Sequence, residues 1–188
     1  MIRVGIVLGS TRPGRNGEAV ARWAFDEAKK RSDAEFELLD VQQFALPLLD
    51  EPIPPSAGRY SREHTKAWAA KIASLDAFVF VTAEYNHSVP AALKNALDYL
   101  YAEWNNKAAG FVSYGSAGGA RAVEHLRGIL AELQVATVRS QVMFSLAADF
   151  ENYRVFKQPD ATKVQALNAM LDQLIAWGTA LRSIRKRE

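Results

Sequence analysis

Short apolar runs alternate along the chain with longer segments in which apolar residues recur every three or four positions. This alternation is typical of an α/β fold with a mainly parallel sheet. The apolar runs predict strands at residues 3–8, 35–41, 77–82, 109–114 and 137–144. Five strands and about five helices in one chain predict a doubly wound α/β/α sandwich of three layers.

Five stretches of helical period lie between and after these strands, and the last is expected to begin after Asp160 as its N-cap. Such stripes indicate core or subunit interface, and none is read as a cofactor site. Their apolar members are Val20, Trp23, Ala24 and Ala28; Trp68, Ile72 and Leu75; Val89, Leu93, Ala96, Leu97, Leu100 and Trp104; Val123, Leu126, Leu130 and Leu133; and Val164, Leu167, Leu171, Leu174, Ile175 and Leu181.

The chain of 188 residues is expected to form a single domain, residues 1–188, because it shows no repeat and no linker composition. Residues 46–61 hold the mid-chain prolines and are interpreted as a long ordered loop. In a doubly wound sheet, ligands bind outside the carboxyl ends of the strands, where the strand order reverses. The residues that follow each strand are therefore the place to look for function.

The amino-acid composition argues against several classes of function. The chain has no cysteine, which excludes disulfides, thiolate catalysis and Cys-ligated metals and fits a cytoplasmic location. Its apolar runs are far shorter than the roughly 20 residues of a membrane span, and no signal peptide is expected. The three histidines, His64, His87 and His125, are scattered and follow no metal-binding spacing, so no metal site is predicted.

The net charge of +2 comes from the C-terminus. Residues 182–188 hold four basic residues and one acidic residue, so they contribute +3 and the rest of the chain carries −1. Cations at the end of a C-terminal helix are favoured by the helix dipole and are usually solvated. We therefore prefer a solvated tail to a nucleic-acid or membrane contact.

The first strand is followed by GSTRPGRNGEAVARW, residues 9–23. Ser10 and Thr11 offer hydroxyl groups, Arg12 and Arg15 offer positive charge, and glycines allow a tight turn before a helix begins. A helix N-terminus with a flanking guanidinium is a phosphate site in physical terms. The alternative is a plain strand-to-helix turn with surface arginines, and the residue set favours the phosphate.

The spacing in this loop argues against two common phosphate motifs. The lysine of G-x-x-x-x-G-K-[ST] is missing, and the glycines do not match G-x-G-x-x-G. Asp40, at the end of the second strand, stands where a dinucleotide fold places a ribose-binding acid, but a loop-capping carboxylate is the preferred interpretation. The loop therefore suits a single dianionic phosphate better than a pyrophosphate.

The third strand ends in the polar stretch from Ala83 to Ser88, and Ser88 is predicted as the N-cap of a helix with Pro90 in its first turn. Tyr85 and His87 offer flat faces, and Asn86 offers both a donor and an acceptor. This set suits a planar heterocycle. His87 alone is equally consistent with a solvent-facing loop residue, and Glu84 with a salt bridge or a cap.

The fourth strand is followed by a third corner rich in glycine and serine, whose freed N–H groups can contact a ligand edge or stabilise negative charge. Its members are Ser113, Gly115, Ser116, Gly118 and Gly119. The fold is expected to bring the three corners side by side. A planar ring with one phosphate, in a doubly wound sheet, describes flavin mononucleotide (FMN).

The three segments GSTRPGRNGEAVARW, AEYNHSVPAALKNALDYL and YGSAGGARAVEHLR resemble the signatures of the NADPH-dependent FMN reductase family, flavodoxin-like FMN and quinone reductases. The resemblance covers residues 1–150 and implies a flavodoxin-like sandwich. It departs from the family at Ala83, where Pro is common, and at residues 15–17, where many members carry Ser and Asn. It implies FMN contacts in three groups. Ser10, Thr11, Arg12, Arg15, Asn16 and Gly17 meet the phosphate; Glu84, Tyr85, Asn86 and His87, which follow Ala83, lie along the ring; and Tyr114, Gly115, Ser116 and Gly119 approach the ring's other edge.

The resemblance also implies an enzyme that passes hydride from NADPH or NADH through FMN to a quinone, flavin or similar small acceptor in a ping-pong cycle. No side chain is nominated as a catalytic acid or base. A homodimer or tetramer is implied, with the aromatic segment 97–104 as a candidate interface, although Tyr99, Tyr101 and Trp104 fit a monomer core equally well. A flavodoxin-type electron carrier and a non-enzymatic flavin-binding redox sensor are the alternatives.

Overall fold

The structure, a computed structural model that describes residues 1–185, contains a five-stranded parallel sheet. The strand order is β2-β1-β3-β4-β5, the flavodoxin-like order that reverses between β1 and β3. The predicted fold class is confirmed, and each predicted strand end lies within two residues of the observed one. The strands are β1 (Ile2–Leu8), β2 (Ala34–Asp40), β3 (Ala77–Ala83), β4 (Lys107–Gly115) and β5 (Val135–Ser145).

Helices cover both faces of the sheet. They are α1 (Gly17–Ala28), α2 (Glu63–Ala73), α3 (Ala91–Asp98), α4 (Ala120–Glu132) and α5 (Ala161–Arg185). Helices α1 and α5 pack in one apolar cluster with residues such as Val20 and Leu171, and α2, α3 and α4 pack in the other with residues such as Ile72. The Asp160 carboxylate accepts a hydrogen bond from the Lys163 N–H at 3.0 Å, which confirms the predicted N-cap of α5.

Side chains alternate between the faces of a strand, and this alternation divides β3 between the two clusters. Val79 and Val81 belong to the cluster under α1 and α5, whereas Phe78 and Phe80 belong to the opposite cluster. Phe78 meets Trp104 edge to face, with ring centroids 5.0 Å apart. Both faces of the sheet are therefore buried, which fits the continuous apolar runs of the sequence.

Helix α3 begins later than the sequence predicts. It starts at Ala91 with Pro90 at the N-cap position, so the prediction of Ser88 as N-cap is wrong. Ser88 instead closes a tight turn: its N–H donates to the Tyr85 carbonyl at 3.1 Å, and its carbonyl accepts from the Tyr85 N–H at 2.9 Å. These two backbone hydrogen bonds hold residues 85–88 in a turn, and the N-cap of α3 lies two residues later than predicted.

The aromatic segment 97–104 lies mostly in the core of the chain. Tyr99 and Trp104 are fully buried, and the Trp104 Nε1–H donates to the Leu97 carbonyl at 3.2 Å. Tyr101 is partly exposed. Of the two interpretations offered by the sequence, the structure supports the monomer core for Tyr99 and Trp104.

A short hairpin between β5 and α5 was not predicted. It pairs β6 (Phe150–Glu151) with β7 (Val155–Phe156) in antiparallel fashion. Its turn contains Asn152 and Tyr153, both with positive φ, and the Tyr153 carbonyl accepts a hydrogen bond from Asn16 Nδ2 at 2.9 Å. The hairpin therefore rests against the loop that follows β1.

The basic C-terminal segment is partly buried where the structure describes it. Arg182 Nη1 donates to the Met1 carbonyl at 2.7 Å, and Arg185 Nη1 donates to the Asn106 carbonyl at 2.5 Å. Both guanidinium groups also pair with Asp76. These two arginines anchor the end of α5 and are not fully solvated as predicted, while residues 186–188 of the segment lie outside the described range.

Within residues 1–185, no helix is long and apolar enough to cross a bilayer. Over the same residues, no group of three or more metal-ligating side chains is arranged to hold a metal ion. His64 lies 2.9 Å from the Asp50 carboxylate, and His87 lies beside His125 with ring centroids 5.8 Å apart.

Candidate functional site at the carboxyl ends of the strands

Three loops meet at the carboxyl edge of the sheet: the first loop (residues 9–16), the second loop (residues 84–90) and the third loop (residues 116–119). The Gly9 N–H donates to the Val81 carbonyl at 3.0 Å, and the Glu84 N–H donates to the Tyr114 carbonyl at 3.0 Å. The structure therefore brings the three corners together, as the sequence predicts.

Side chains of the first and second loops are also joined directly. Ser10 Oγ lies 2.8 Å from the Tyr85 hydroxyl, and Ser10 is almost fully buried. The Arg12 guanidinium lies over the Tyr85 ring, 5.9 Å from its centroid. This pairing fixes the position of Tyr85 relative to the first loop.

The first loop ends at the start of α1. Asn16 occupies the N-cap position without a side-chain capping bond, and Gly17 is the first helical residue. The first N–H groups of a helix have no partner within it and carry partial positive charge. With half-buried Thr11 and exposed Arg12 beside it, this helix start offers donors and charge to an anion.

The Arg15 side chain is bound by other groups of the protein. It is only 3% exposed and bonds to the Ser10 carbonyl, to Asp40 and to Glu18. Burial by itself lowers the pKa of Arg15, but the hydrogen bonds from Asp40 and Glu18 outweigh burial and raise it. The expected phosphate contact of Arg15 is therefore a structural ion pair in this structure, and Arg12 is the arginine of this loop whose guanidinium pairs with no carboxylate of the described residues.

Asp40 acts as the cap that the sequence favours. Its Oδ1 accepts from the Gln42 N–H at 3.0 Å, at the start of a 3-10 turn, Val41–Phe44. The same carboxylate pairs with Arg15. Both oxygens are thus committed, which argues against a ribose-binding role.

The second loop exposes Asn86 and His87 at the tip of the turn closed by Tyr85 and Ser88. Asn86 has φ 48° and His87 has φ 75°. A histidine in the left-handed region is strained, and such residues cluster at functional sites. Buried Ala83 ends β3 directly before this loop.

Glu84 serves as a cap and salt bridge, the alternative that the sequence left open. Its side chain is 3% exposed, pairs with the Arg121 guanidinium and accepts from the Arg121 N–H at 3.1 Å, at the start of α4. Burial alone raises the pKa of Glu84, but the Arg121 hydrogen bond and the Ala122 N–H bring it below its ordinary value. Its carboxylate is therefore committed to α4, and its backbone remains available at the site.

The third loop is tightly packed around its glycines. Gly118 and Gly119 have φ of 66° and 76°, and a Cβ on Gly119 would lie 2.7 Å from the Ser113 Cβ. Ser113 Oγ donates to the Gly118 carbonyl at 2.7 Å. Ser116 is exposed at the tip of the loop. On Gly115, a Cβ would lie 3.1 Å from the Glu84 Cβ, so only small residues allow the second and third loops to approach each other.

Tyr114 is buried beneath the start of α1. Its hydroxyl has no hydrogen-bond partner among the described residues and lies 2.7 Å from the position that a Cβ on Gly17 would occupy. Burial raises the pKa of Tyr114. The resemblance implies a contact with the ring edge, but in this structure the side chain points under the first loop.

Two features of the site carry no signal in the sequence. Arg121 pairs with Glu84 across 37 positions, a separation at which no local pattern exists. Asn95 binds the segment after β2: its Nδ2 donates to the Pro47 carbonyl at 2.6 Å, and its Oδ1 accepts from the Leu49 N–H at 3.0 Å. These partners lie 46 and 48 positions from Asn95, so no local pattern marks this contact either.

Comparisons with known proteins bear on this site. Residues 2–149 match the family model described as NADPH-dependent FMN reductase. An NAD(P)H-dependent FMN reductase of Schizosaccharomyces pombe is 38% identical over 149 residues, which cover 78% of this chain and 74% of that protein. A quinone reductase of Escherichia coli K12 is 31% identical over 191 residues, covering 98% of this chain and 97% of that protein. The solved structure of FerB, a flavoenzyme NAD(P)H:(acceptor) oxidoreductase from Paracoccus denitrificans, is similar with a TM-score of 0.74 at 21% identity, covering 96% of this chain and 98% of that one.

Proposed function

This chain belongs to the NADPH-dependent FMN reductase family, and we propose that it binds FMN across its three loops and reduces a quinone or flavin acceptor with NAD(P)H. The family and the named relatives make it an NAD(P)H-dependent FMN or quinone reductase. The residues that bind FMN, the identity of the acceptor and the oligomeric state are what we propose.

The donor set at the first loop fits the phosphate of FMN. Thr11 and Arg12 belong to the loop that leads into the first turn of α1, and no carboxylate of the described residues pairs with the Arg12 guanidinium. A dianionic phosphate is the ligand that a helix start with an adjacent guanidinium binds best. Arg12 is the observation that carries the proposal, because the other arginine of the first loop, Arg15, is already paired with Asp40 and Glu18.

The second and third loops fit the flavin ring. Tyr85 is fixed by its bond to Ser10, and the turn presents Asn86 and His87 outward. Bound FMN supplies hydride chemistry between the nicotinamide and the acceptor, while the protein supplies orientation and electrostatics. Backbone N–H groups of the glycine-rich third loop are proposed to stabilise negative charge that develops on a ligand beside them. No side chain is required as an acid or base.

The chain is proposed to act as a single domain in the cytoplasm, as its length, its lack of linker composition and its lack of cysteine indicate. The family resemblance implies a homodimer or tetramer. Burial of Tyr99 and Trp104 within the monomer removes them from the candidate interface, and Tyr101 remains as its partly exposed member. Sedimentation velocity over a concentration series tests the assembly. A species that stays monomeric at every concentration would remove the oligomer from the proposal.

Steady-state kinetics test the proposed reaction. The FMN-loaded chain is given NADPH at several fixed concentrations of a benzoquinone, and then NADH in the same way. Parallel double-reciprocal lines are expected, because one product leaves before the second substrate binds. Free FMN at equal concentration, without protein, is the control. A loaded chain that oxidises neither nucleotide faster than this control would reject the reductase and leave an electron carrier or a redox sensor.

A further inference from the structure

A cavity of about 300 Å³ lies beside the first loop, on the side of the sheet covered by α2, α3 and α4. Thr11 contributes to it from the first loop, the segment after β2 contributes a second wall, and the first turns of α3 contribute a third. Its principal lining residues are Thr11, Val41, Gln42, Leu46, Ala92 and Asn95. The cavity therefore adjoins the proposed phosphate site and shares Thr11 with it.

The wall after β2 is held in place by hydrogen bonds. Asn95 holds the Pro47 carbonyl and the Leu49 N–H, as described above, and the Tyr99 hydroxyl donates to the same Pro47 carbonyl at 3.0 Å. Tyr99 is fully buried in the core. Hydrogen bonds to residues of the core therefore fix the shape of the cavity. Pre-formed ligand sites are supported in this way.

The lining combines flat apolar surface with a few polar groups. Val41, Leu46 and Ala92 are apolar, whereas Thr11 offers a hydroxyl and Gln42 an amide. The Gln42 side chain is exposed and makes no hydrogen bond with any described residue. A glutamine amide pairs in bidentate fashion with the N6 and N7 edge of adenine. The volume is at the small end of ligand sites, so it suits a single ring system and not a whole dinucleotide.

We propose that this cavity is the subsite for the adenosine half of NAD(P)H, an inference that rests on the proposed function. The adenine ring lies between Leu46 and Ala92 with its polar edge toward Gln42. The nicotinamide extends from the cavity toward the second loop, and Arg12 stays with the FMN phosphate. The binding energy of the adenosine half then helps to position the nicotinamide, the half of the molecule that reacts.

Kinetics with two hydride donors distinguish an effect on this subsite from an effect on the reacting centre. Reduced nicotinamide mononucleotide carries the same nicotinamide as NADPH but lacks the adenosine. Ala92→Leu fills the cavity and Gln42→Ala removes the amide, while Ala131→Leu, on exposed surface in the last turn of α4, is the matched control. The ratio of kcat/KM for NADPH to kcat/KM for the mononucleotide is expected to fall about tenfold in Ala92→Leu and several-fold in Gln42→Ala, and to stay unchanged in the control.

The kinetic outcomes that overturn the proposal are distinct. Equal losses with both donors would assign the cavity to FMN or to the fold. A loss confined to the quinone half of the cycle would assign it to the acceptor. An unchanged ratio in both variants would leave the cavity without a role in donor binding.

Direct binding tests the subsite without any turnover. Adenosine 5′-monophosphate is titrated into the FMN-loaded chain, whose phosphate site is already filled, by calorimetry. Wild type, Gln42→Ala and Ala92→Leu are compared, and the urea midpoint of each variant is measured to check folding. Saturable binding by wild type and at least tenfold weaker binding by both variants are expected. No binding by wild type would reject the subsite and leave the reductase intact. Binding in a chain that never oxidises NADPH would reject the proposed function and retain the subsite.

Discussion

The guanidinium of Arg15 grips both oxygens of Asp40, with Nη1 3.0 Å from Oδ1 and Nη2 2.5 Å from Oδ2. This bidentate pair links the first loop to the end of β2 and pairs the charge of Arg15 with a carboxylate. Of the two arginines that the sequence offers to a phosphate, one holds the loop and the other, Arg12, faces outward. The two are therefore expected to respond differently to the same substitution.

Arg12→Gln is expected to weaken FMN binding by about tenfold or more, because a charge-assisted hydrogen bond to phosphate is worth about 1.5–3 kcal/mol. The fluorescence of FMN during titration of the apoprotein measures the change in Kd. The urea midpoint of the apoprotein is expected to stay the same, since Arg12 is exposed and pairs with no carboxylate of the described residues. An unaltered Kd would exclude Arg12 as the phosphate ligand.

Arg15→Gln is expected to lower the free energy of unfolding of the apoprotein by about 3 kcal/mol, because it leaves the Asp40 carboxylate without its buried partner. Urea unfolding followed by circular dichroism measures this loss. If the variant keeps wild-type stability and instead loses FMN binding, Arg15 is a phosphate ligand and the assignment of the two arginines must be reversed.

Glu84→Gln is expected to lower the free energy of unfolding by about 1–2 kcal/mol near neutral pH, because it weakens the cap of α4 and the pair with Arg121. The folded-state pKa of Glu84 lies below its ordinary value, so its contribution is complete above that ordinary value and is lost as the pH falls through the folded pKa. The difference between variant and wild type should therefore shrink in acid.

The control for Glu84 is Glu124→Gln, at an exposed carboxylate on the same helix that pairs with Arg127. Its effect is expected to stay within about 0.5 kcal/mol. Urea midpoints at neutral pH and at a pH below 4 provide both comparisons. A Glu84 variant as stable as the Glu124 variant at neutral pH would show that the cap contributes nothing.

Tyr114→Phe is expected to leave the apoprotein as stable as wild type or to raise its free energy of unfolding by about 1 kcal/mol, because the hydroxyl is buried without a partner among the described residues. Tyr99→Phe is the matched control. The Tyr99 hydroxyl lies 3.0 Å from both the Pro47 carbonyl and Asp50 Oδ1, which share its one proton, so its removal is expected to cost about 1–3 kcal/mol. A loss at Tyr114 equal to that at Tyr99 in urea unfolding would reveal a partner for the Tyr114 hydroxyl.

Lys107 gives the chain a pH dependence far from the site. Burial, helped by nearby Arg185 and opposed by Asp76 and Glu103, lowers the pKa of Lys107 to about 7. Its Nζ donates to the Ile72 carbonyl at 2.6 Å. Between pH 7 and about 10 the unfolded chain holds a proton that the folded chain has released, so stability rises with pH over this window.

Lys107→Met removes this dependence. From pH 7 to pH 9 the free energy of unfolding of wild type is expected to rise by about 2 kcal/mol relative to the variant. Urea unfolding of both proteins at the two pH values measures the difference. A difference that is the same at pH 7 and pH 9 would mean that Lys107 titrates alike in the folded and unfolded chains.

The strands were predictable because each is a short apolar run buried on both faces, and the three corners were predictable because parallel strands end at the same edge. The hairpin of β6 and β7 was missed, since strands of two residues have no period to detect. Serine is a favoured N-cap residue, but two backbone hydrogen bonds with Tyr85 hold Ser88 in a turn instead. The roles of Arg15 and Glu84 depend on partners 25 and 37 positions away, and a single sequence contains no signal for such pairs.

The visible absorption spectrum of the chain tests the central claim most directly. The purified protein is mixed with FMN, passed through a desalting column, and then treated with NADPH and a benzoquinone in turn without oxygen. A flavin spectrum that stays with the protein, bleaches with NADPH and returns with the quinone is the predicted result. FMN that elutes apart from the protein would contradict the account, because the three loops would then hold a different phosphate ligand.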